Sequence, residues 1–315
     1  MKEFLTVKNL VKNYGDLCAV NNLSFSVYEG EIFGLLGPNG AGKSTTMNVI
    51  ASLCDFSKGS VTAMGMDILS ERDKVKHIIG MVPQEIALYP FLTAEENVKF
   101  FASLYGLKGA ELRDAAKEAL EFTGLSDRAK MKPKQMSGGM KRRLNIACGI
   151  AHNPKLIIMD EPTVGVDAQS REHILASIKT LRQRGATVIY TSHYMNEVED
   201  ICDRIGIIDH GQLIACGTGE ELVSLVSESK ALKIITEFKP EFDRAGLISE
   251  LSKLPDVKNV RIEDKEIIME IYARCRDLTV YTEHIRERDL PVCSINSESM
   301  NLEDVFIALT GKELR

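Results

Sequence analysis

The sequence predicts an α/β fold on a parallel sheet, followed by a smaller α+β domain. Three observations carry that prediction. Short apolar runs alternate with segments of helical period through the first two-thirds of the chain, a glycine-rich turn joins one of those runs to a helix, and past about residue 220 the elements recur in a different order.

The first runs are Phe4-Leu5-Thr6-Val7, Leu23-Ser24-Phe25-Ser26-Val27 and Ile32-Phe33-Gly34-Leu35-Leu36. Their period of two, with Asn-Tyr-Gly and Tyr-Glu-Gly turns between, predicts strands and hairpins. Lys43 to Leu53 then takes a helical pattern. Thr93 to Leu104 and Ala110 to Phe122 are also helical, the first opened by Thr93 and Glu96 at capping-box spacing. The continuous apolar run Leu156 to Met159 predicts a strand, followed by a helix over Ser170 to Arg184 and a strand over Ala186 to Thr191. After residue 220 the reading is strand 232–238, helix 242–254, strand 257–262, a turn at Glu263-Asp264-Lys265, strand 266–272, helix 276–288, strand 292–296 and a last helix 302–310. The order β-α-β-β-α-β is the ferredoxin-like split unit, so a domain over 221–315 is expected beyond one over 1–220.

Composition narrows the function classes. Lysine and arginine total 39 against 45 acidic residues in 315, a formal net charge of -6. Nucleic-acid binders carry a basic excess or stripe, so no nucleic-acid partner is expected. No stretch approaches the ~18–20 apolar residues of a spanning helix, and the N-terminus has no signal-like apolar core, which predicts a cytoplasmic chain. The seven cysteines (Cys18, Cys54, Cys148, Cys202, Cys216, Cys275 and Cys293) are odd in number and form no C-x-x-C pair. They are read as free thiols serving mostly as small apolar residues.

Three motifs carry chemistry. Gly37-Pro38-Asn39-Gly40-Ala41-Gly42-Lys43-Ser44-Thr45 fits G-x-x-x-x-G-K-[ST] between an apolar strand and a helix. Glycines let the backbone wrap an anion, the helix N-terminus adds partial positive charge, Lys43 reaches β- and γ-phosphates, and the Ser44 hydroxyl can ligate Mg²⁺. Asp160 and Glu161 follow the run Leu156 to Met159 directly. Ligands sit at the C-terminal ends of parallel strands, so Asp160 is placed to hold Mg²⁺ through its water shell and Glu161 to polarise water. Without the phosphate loop, two acids at a strand end would be ordinary solvated carboxylates. His193 ends the strand 186–191 at the same edge; a lone histidine is more often structural, and only this position argues otherwise.

Ser137-Gly138-Gly139-Met140-Lys141-Arg142-Arg143 precedes a helical run reaching Ile150. Alone it is a capping turn. In order after the phosphate loop and before the acidic pair, it resembles the ATP-binding cassette (ABC) family. That resemblance covers roughly residues 3–220 and implies a P-loop NTPase with a RecA-like core, an antiparallel β subdomain and a helical subdomain over about 88–150. It implies that Tyr14 stacks on adenine and that Gln84, in Val82-Pro83-Gln84, senses Mg²⁺ or water and touches a membrane partner. It places Ser137, Gly138 and Gly139 at the signature, Asp160 and Glu161 at the Walker B pair, Gly165-Val166-Asp167 at the D-loop and His193 at the switch position. Met140 stands where the family has glutamine, and S-G-G-M before basic residues is similar to the daunorubicin-resistance (ABC-2 type) exporter ATPases, as is the tail from Leu302 to Gly311.

The resemblance implies ATP and Mg²⁺ as cofactors and a homodimer or heterodimer closing head to tail over ATP. It also implies a separate transmembrane permease that holds the chain at the inner face of the membrane. DNA-associated relatives insert far more than the some fifty residues (88–135) found here, and translation-type relatives carry two cassettes. A non-transport ATPase with an effector-binding C-terminal domain remains the alternative reading.

Overall fold

The protein's computed structural model describes residues 2–226, 229–239, 241–272, 275, 277–298 and 301–311. The chain divides into two compact units, the first ending at Thr218 and the second beginning at Gly219.

The first unit opens with the hairpin β1 (Glu3–Tyr14) and β2 (Leu17–Tyr28), turning at Gly15, whose φ is +57°. Next come β3 (Ile32–Leu36), α1 (Lys43–Ile50), β4 (Lys58–Ala63), β5 (Met66–Asp67), α2 (Arg72–Ile78) and β6 (Ile79–Val82). Three helices follow, α3 (Ala94–Leu104), α4 (Gly109–Phe122) and α5 (Gly138–Ile150). The unit closes with β7 (Leu156–Asp160), α6 (Ala168–Gln183), β8 (Thr187–Ser192), α7 (Met195–Ile201), β9 (Arg204–Asp209) and β10 (Gln212–Gly217).

Two sheets result. One is antiparallel in the order β2-β1-β4-β5. The other has the order β10-β9-β3-β8-β7-β6, parallel except where β10 pairs with β9. Strands β3, β7 and β8 are buried at every position, which is why they read as unbroken apolar runs. A core including Phe4, Leu10, Phe25, Phe33, Met47 and Ile158 is shared by both sheets and α1. Helices α3, α4 and α5 bury a separate cluster that includes Val98, Leu120 and Leu144, with Met140 packed half-buried against it. Thr93 and Glu96 cap α3 reciprocally, as their spacing predicts.

Helix ends depart from the sequence reading by a few residues. Helix α1 stops at Ile50 rather than Leu53, with Ser52 at φ +56° turning the chain. Helix α6 starts at Ala168 rather than Ser170, because Asp167 accepts a hydrogen bond from the Ser170 backbone N–H and so becomes its N-cap.

The second unit contains α8 (Gly219–Val226), β11 (Ser229–Thr236), α9 (Arg244–Leu251), β12 (Val257–Glu263), β13 (Glu266–Tyr272), α10 (Thr279–Glu287), β14 (Val292–Glu298) and α11 (Leu302–Thr310). Helices α9 and α10 are shorter than read, and Arg276 lies outside the described residues. The four strands pair antiparallel in the order β12-β13-β11-β14. Leu232, Ile234, Ile267, Met269 and Ile271 point into a core with Leu247 and Leu251 of α9 and Tyr281 and Ile285 of α10.

Among the described residues no helix is long and apolar enough to cross a membrane. All seven cysteines are free thiols; Cys148 is buried, whereas Cys18 and Cys293 are exposed and do not serve as core residues.

One buried base gives the first unit a pH dependence. His152 stacks on Tyr105 with ring centroids 3.5 Å apart, and its Nε2 lies 3.1 Å from the Ile79 carbonyl oxygen. Its Nδ1 is buried with no hydrogen-bond partner, so a second proton there would be unsatisfied. Burial holds its pKa down to about 4 from 6.5; nearby His77 adds to this and the Ile79 carbonyl opposes it. The unfolded chain therefore binds the extra proton between these values, and stability falls as pH drops from about 6.5 towards 4. Denaturant midpoints measured from pH 7 to 4.5 should fall for the native chain and fall less steeply for His152→Phe.

Candidate active site

Five parallel strands deliver their C-terminal ends to one edge, and each is followed by a polar group. Phosphate-loop residues follow β3, Gln84 follows β6, Asp160 ends β7 with Glu161 next, His193 follows β8, and His210 follows β9. A cavity of about 520 Å³ opens there, lined by Tyr14, Cys18, Asn39, Gly40, Gly42, Lys43, Ser44, Thr45, Gln84, Glu161 and His210, among others.

Glu161 is the centre of this edge. It is 4% exposed, and its Oε1 lies 3.3 Å from Lys43 Nζ. Its Oε2 accepts a hydrogen bond from Gln84 Nε2 at 3.3 Å and lies 3.3 Å from His193 Nδ1. Glu161 has φ +46°, a left-handed conformation unusual for a residue with a Cβ. Its backbone N–H, shared between the Thr191 hydroxyl at 3.0 Å and the Thr191 carbonyl at 3.2 Å, holds it there. Thr191 in turn donates its hydroxyl to Asp160 Oδ1 at 2.6 Å. One threonine on β8 thus fixes both acids, the one that ends β7 and the one that follows it.

Lys43 is 5% exposed, and its ammonium donates to the carbonyls of Gly37 at 2.8 Å and Pro38 at 3.1 Å. Gly42 has φ +102°, and a Cβ there would meet the Ala19 carbonyl oxygen at 2.5 Å, so only glycine fits where the loop enters α1. Tyr14 is half-exposed beside the loop, with Lys12 Nζ 4.7 Å from its ring centroid.

The signature residues do not line this cavity. Ser137 caps α5, its hydroxyl accepting from the Met140 N–H at 3.2 Å, while Ser137 and Gly138 face solvent. Gly139 is buried against the start of α6, where a Cβ would come within 2.0 Å of Ser170 Oγ. Helix α5 does connect to the site through Arg142, 5% exposed, which donates to the carbonyls of Pro83 at 3.0 Å and Gln84 at 2.7 Å. Asn145 adds a hydrogen bond from the Ala87 N–H at 3.3 Å.

His210, Thr191 and Arg142 escape a reading of motifs. His210 had a signal: Ile205 to Ile208 is an apolar run of strand length, and the residue after such a strand reaches the sheet edge. Thr191 and Arg142 had none, because their partners lie in other segments.

A family model described as ABC transporter matches residues 20–164, which takes in the phosphate loop, Gln84, the signature turn and both acids. The linearmycin resistance ATP-binding protein of Bacillus subtilis (strain 168) is 45% identical over 313 residues, 99% of each chain. The chain belongs to the ATP-binding subunits of ABC transporters. The Nod factor export ATP-binding protein I of Bradyrhizobium diazoefficiens is 36% identical over 304 residues, covering 96% of this chain and 95% of that protein. Among solved structures, a dimeric ATP-binding cassette in a post-hydrolysis state with ADP and Pi bound is 32% identical, with a TM-score of 0.63, over 68% of this chain and 98% of that one. The P-loop NTPase cassette fold follows, and with it ATP hydrolysis in the service of an exporter-type transporter.

Gly42→Ala places a methyl group against backbone that cannot yield. ATP affinity, measured by titration with a fluorescent nucleotide, should fall at least about tenfold while the circular dichroism of the second unit's sheet is retained.

Proposed function

We propose that this ABC subunit binds ATP with the adenine over Tyr14 and the phosphates in the loop Gly37 to Thr45, and hydrolyses it with Glu161 polarising the attacking water. The observation that carries the reading is the convergence of Lys43, Gln84 and His193 on the Glu161 carboxylate, from the phosphate loop and the ends of two different strands. Lys43 neutralises charge on the β- and γ-phosphates, and His193 holds the γ-phosphate against the water that Glu161 orients. Little covalent work is asked of the protein; positioning and preorganised charge lower the barrier.

The donor set fits Mg²⁺. Among the described residues no group of three or more His, Cys, Asp or Glu side chains could hold a metal ion. A cation at this edge therefore draws on the Ser44 hydroxyl, the Gln84 carboxamide oxygen, nucleotide and water, with Asp160 behind the water shell, as a hard and reluctantly dehydrated ion prefers. When bound, it neutralises phosphate charge.

The site is completed in trans. Ser137, Gly138 and Gly139 stand outside the cavity of their own chain with N–H groups at a helix start, so they serve ATP held by a second subunit, identical or homologous. The cassette occupies 1–220, with its helical part over about 88–150, and works at the inner face of the membrane through a separate permease. The export named for its relatives supports the same direction here. The region 221–315 is a ferredoxin-like accessory domain, a reading supported by the strand order β12-β13-β11-β14.

ATP turnover of the purified chain should rise faster than linearly with its concentration. Glu161→Gln should keep ATP affinity, lower kcat at least about a hundredfold, and elute as an ATP-dependent dimer on a sizing column. Unchanged turnover would remove Glu161 from its role. Lys43→Ala should instead lose ATP affinity itself in an equilibrium binding titration.

A further inference from the structure

Behind the catalytic edge lies a second polar cluster that the reaction as described does not use. Glu197, on α7, is 5% exposed. Its Oε2 accepts three hydroxyl hydrogen bonds, from Tyr190 at 2.5 Å, Thr163 at 2.7 Å and Ser192 at 3.3 Å. Its Oε1 lies 3.2 Å from Arg171 Nε. Burial, with the Glu197 charge behind it, pushes the Tyr190 phenol well above its ordinary pKa, so that group stays a donor.

Two of these partners, Ser192 and Arg171, reach the residues on either side of His193. Ser192 precedes it, and the Ser192 hydroxyl also accepts from the Tyr194 backbone N–H at 2.9 Å, tying together the residues on either side of the imidazole. The Arg171 guanidinium lies 5.1 Å from the Tyr194 ring centroid, and that ring packs 4.2 Å from the His193 ring. Thr163 stands two residues beyond Glu161, so the same carboxylate also braces the turn that leaves the second acid.

We propose that Glu197 is a positioning residue for His193. Its carboxylate holds the Ser192 hydroxyl on one side and the Arg171 guanidinium on the other. Together these fix the backbone flanking His193 and the aromatic ring against it, so that the imidazole faces Glu161. The proposal rests on His193 acting at the γ-phosphate, as argued above. A catalytic group displaced by about 1 Å can cost about a hundredfold in rate, which makes a buried brace of this kind consequential. A carboxylate is acceptor-only, whereas glutamine must turn its NH₂ either towards the three hydroxyls or towards the arginine. Glu197→Gln therefore disturbs the cluster whichever way its amide lies.

The test is a cycle of Glu197→Gln, His193→Ala and the double variant. It uses the full chain, joined by its permease if the isolated chain is inactive, and reads kcat per ATP-binding-competent site, KM and Tm. Glu197→Gln should lower kcat about tenfold with KM changed less than about twofold, and should change kcat less than about twofold when His193 is already alanine. Losses that multiply in the double variant, or a lower Tm with unchanged kcat, would overturn the proposal in favour of a purely structural cluster. If His193→Ala alone leaves kcat unchanged, the role given to His193 fails first and this inference with it. Should Glu197→Gln not fold, Arg171→Met carries the same cycle from the half-exposed end of the cluster, with the same coupling to His193 expected and independence overturning it.

Discussion

Everything at the catalytic edge depends on the hydrogen-bonded register of the parallel strands. Leu36 of β3 pairs with Ser192 of β8 and Ile207 of β9, Asp160 of β7 with Thr191 of β8, and Val82 of β6 with Met159 of β7. The strands therefore end nearly level, and a residue one or two positions beyond each end is brought to the same edge. A slip of one position would exchange the two faces of a strand. Burial of β3, β7 and β8 on both faces is what holds the register, since an extra or missing residue would have to place polar groups among apolar ones.

That apolar setting also gives the site its electrostatic character. Lys43 and Glu161 are both almost fully buried at a separation of 3.3 Å, in surroundings where charges interact far more strongly than in water. A buried pair is a poor source of stability, because desolvation offsets the attraction. On the function proposed above its value lies in position, because two opposed charges held on rigid elements need no rearrangement when phosphate arrives. The left-handed backbone of Glu161 belongs with this: the strain, of order 1–3 kcal/mol, turns the second acid away from the strand direction, and Thr191 sustains it.

Local patterns were legible in the sequence, and pairings between segments were not. The phosphate loop, the acids after an apolar run and the capping box at Thr93 are set by spacing within one segment. So are the alternating strands of the second unit. Helix ends shifted where a side chain competed for a cap, as Asp167 did for α6. The sites of Tyr190, Thr163 and Glu197 appear in sequence as unremarkable residues within apolar or helical stretches. Only folding brings their oxygens together, and no periodicity encodes that. Met140 was legible as a departure from pattern, but its half-buried packing against the helical cluster, which accounts for a methionine there, needed the three helices in place.

The Arg142 contact has a mechanical meaning. A guanidinium held between two backbone carbonyls of the Gln84 loop ties that loop to α5, and α5 begins at the Ser137-Gly138-Gly139 turn, which is proposed above to serve a second subunit. Lysine could not reproduce the fork. On the function proposed above, a group at this chain's own nucleotide and a turn serving the partner's are thus joined through the first five residues of one helix. On that reading, a shift of the loop would reach the turn through a single helical segment.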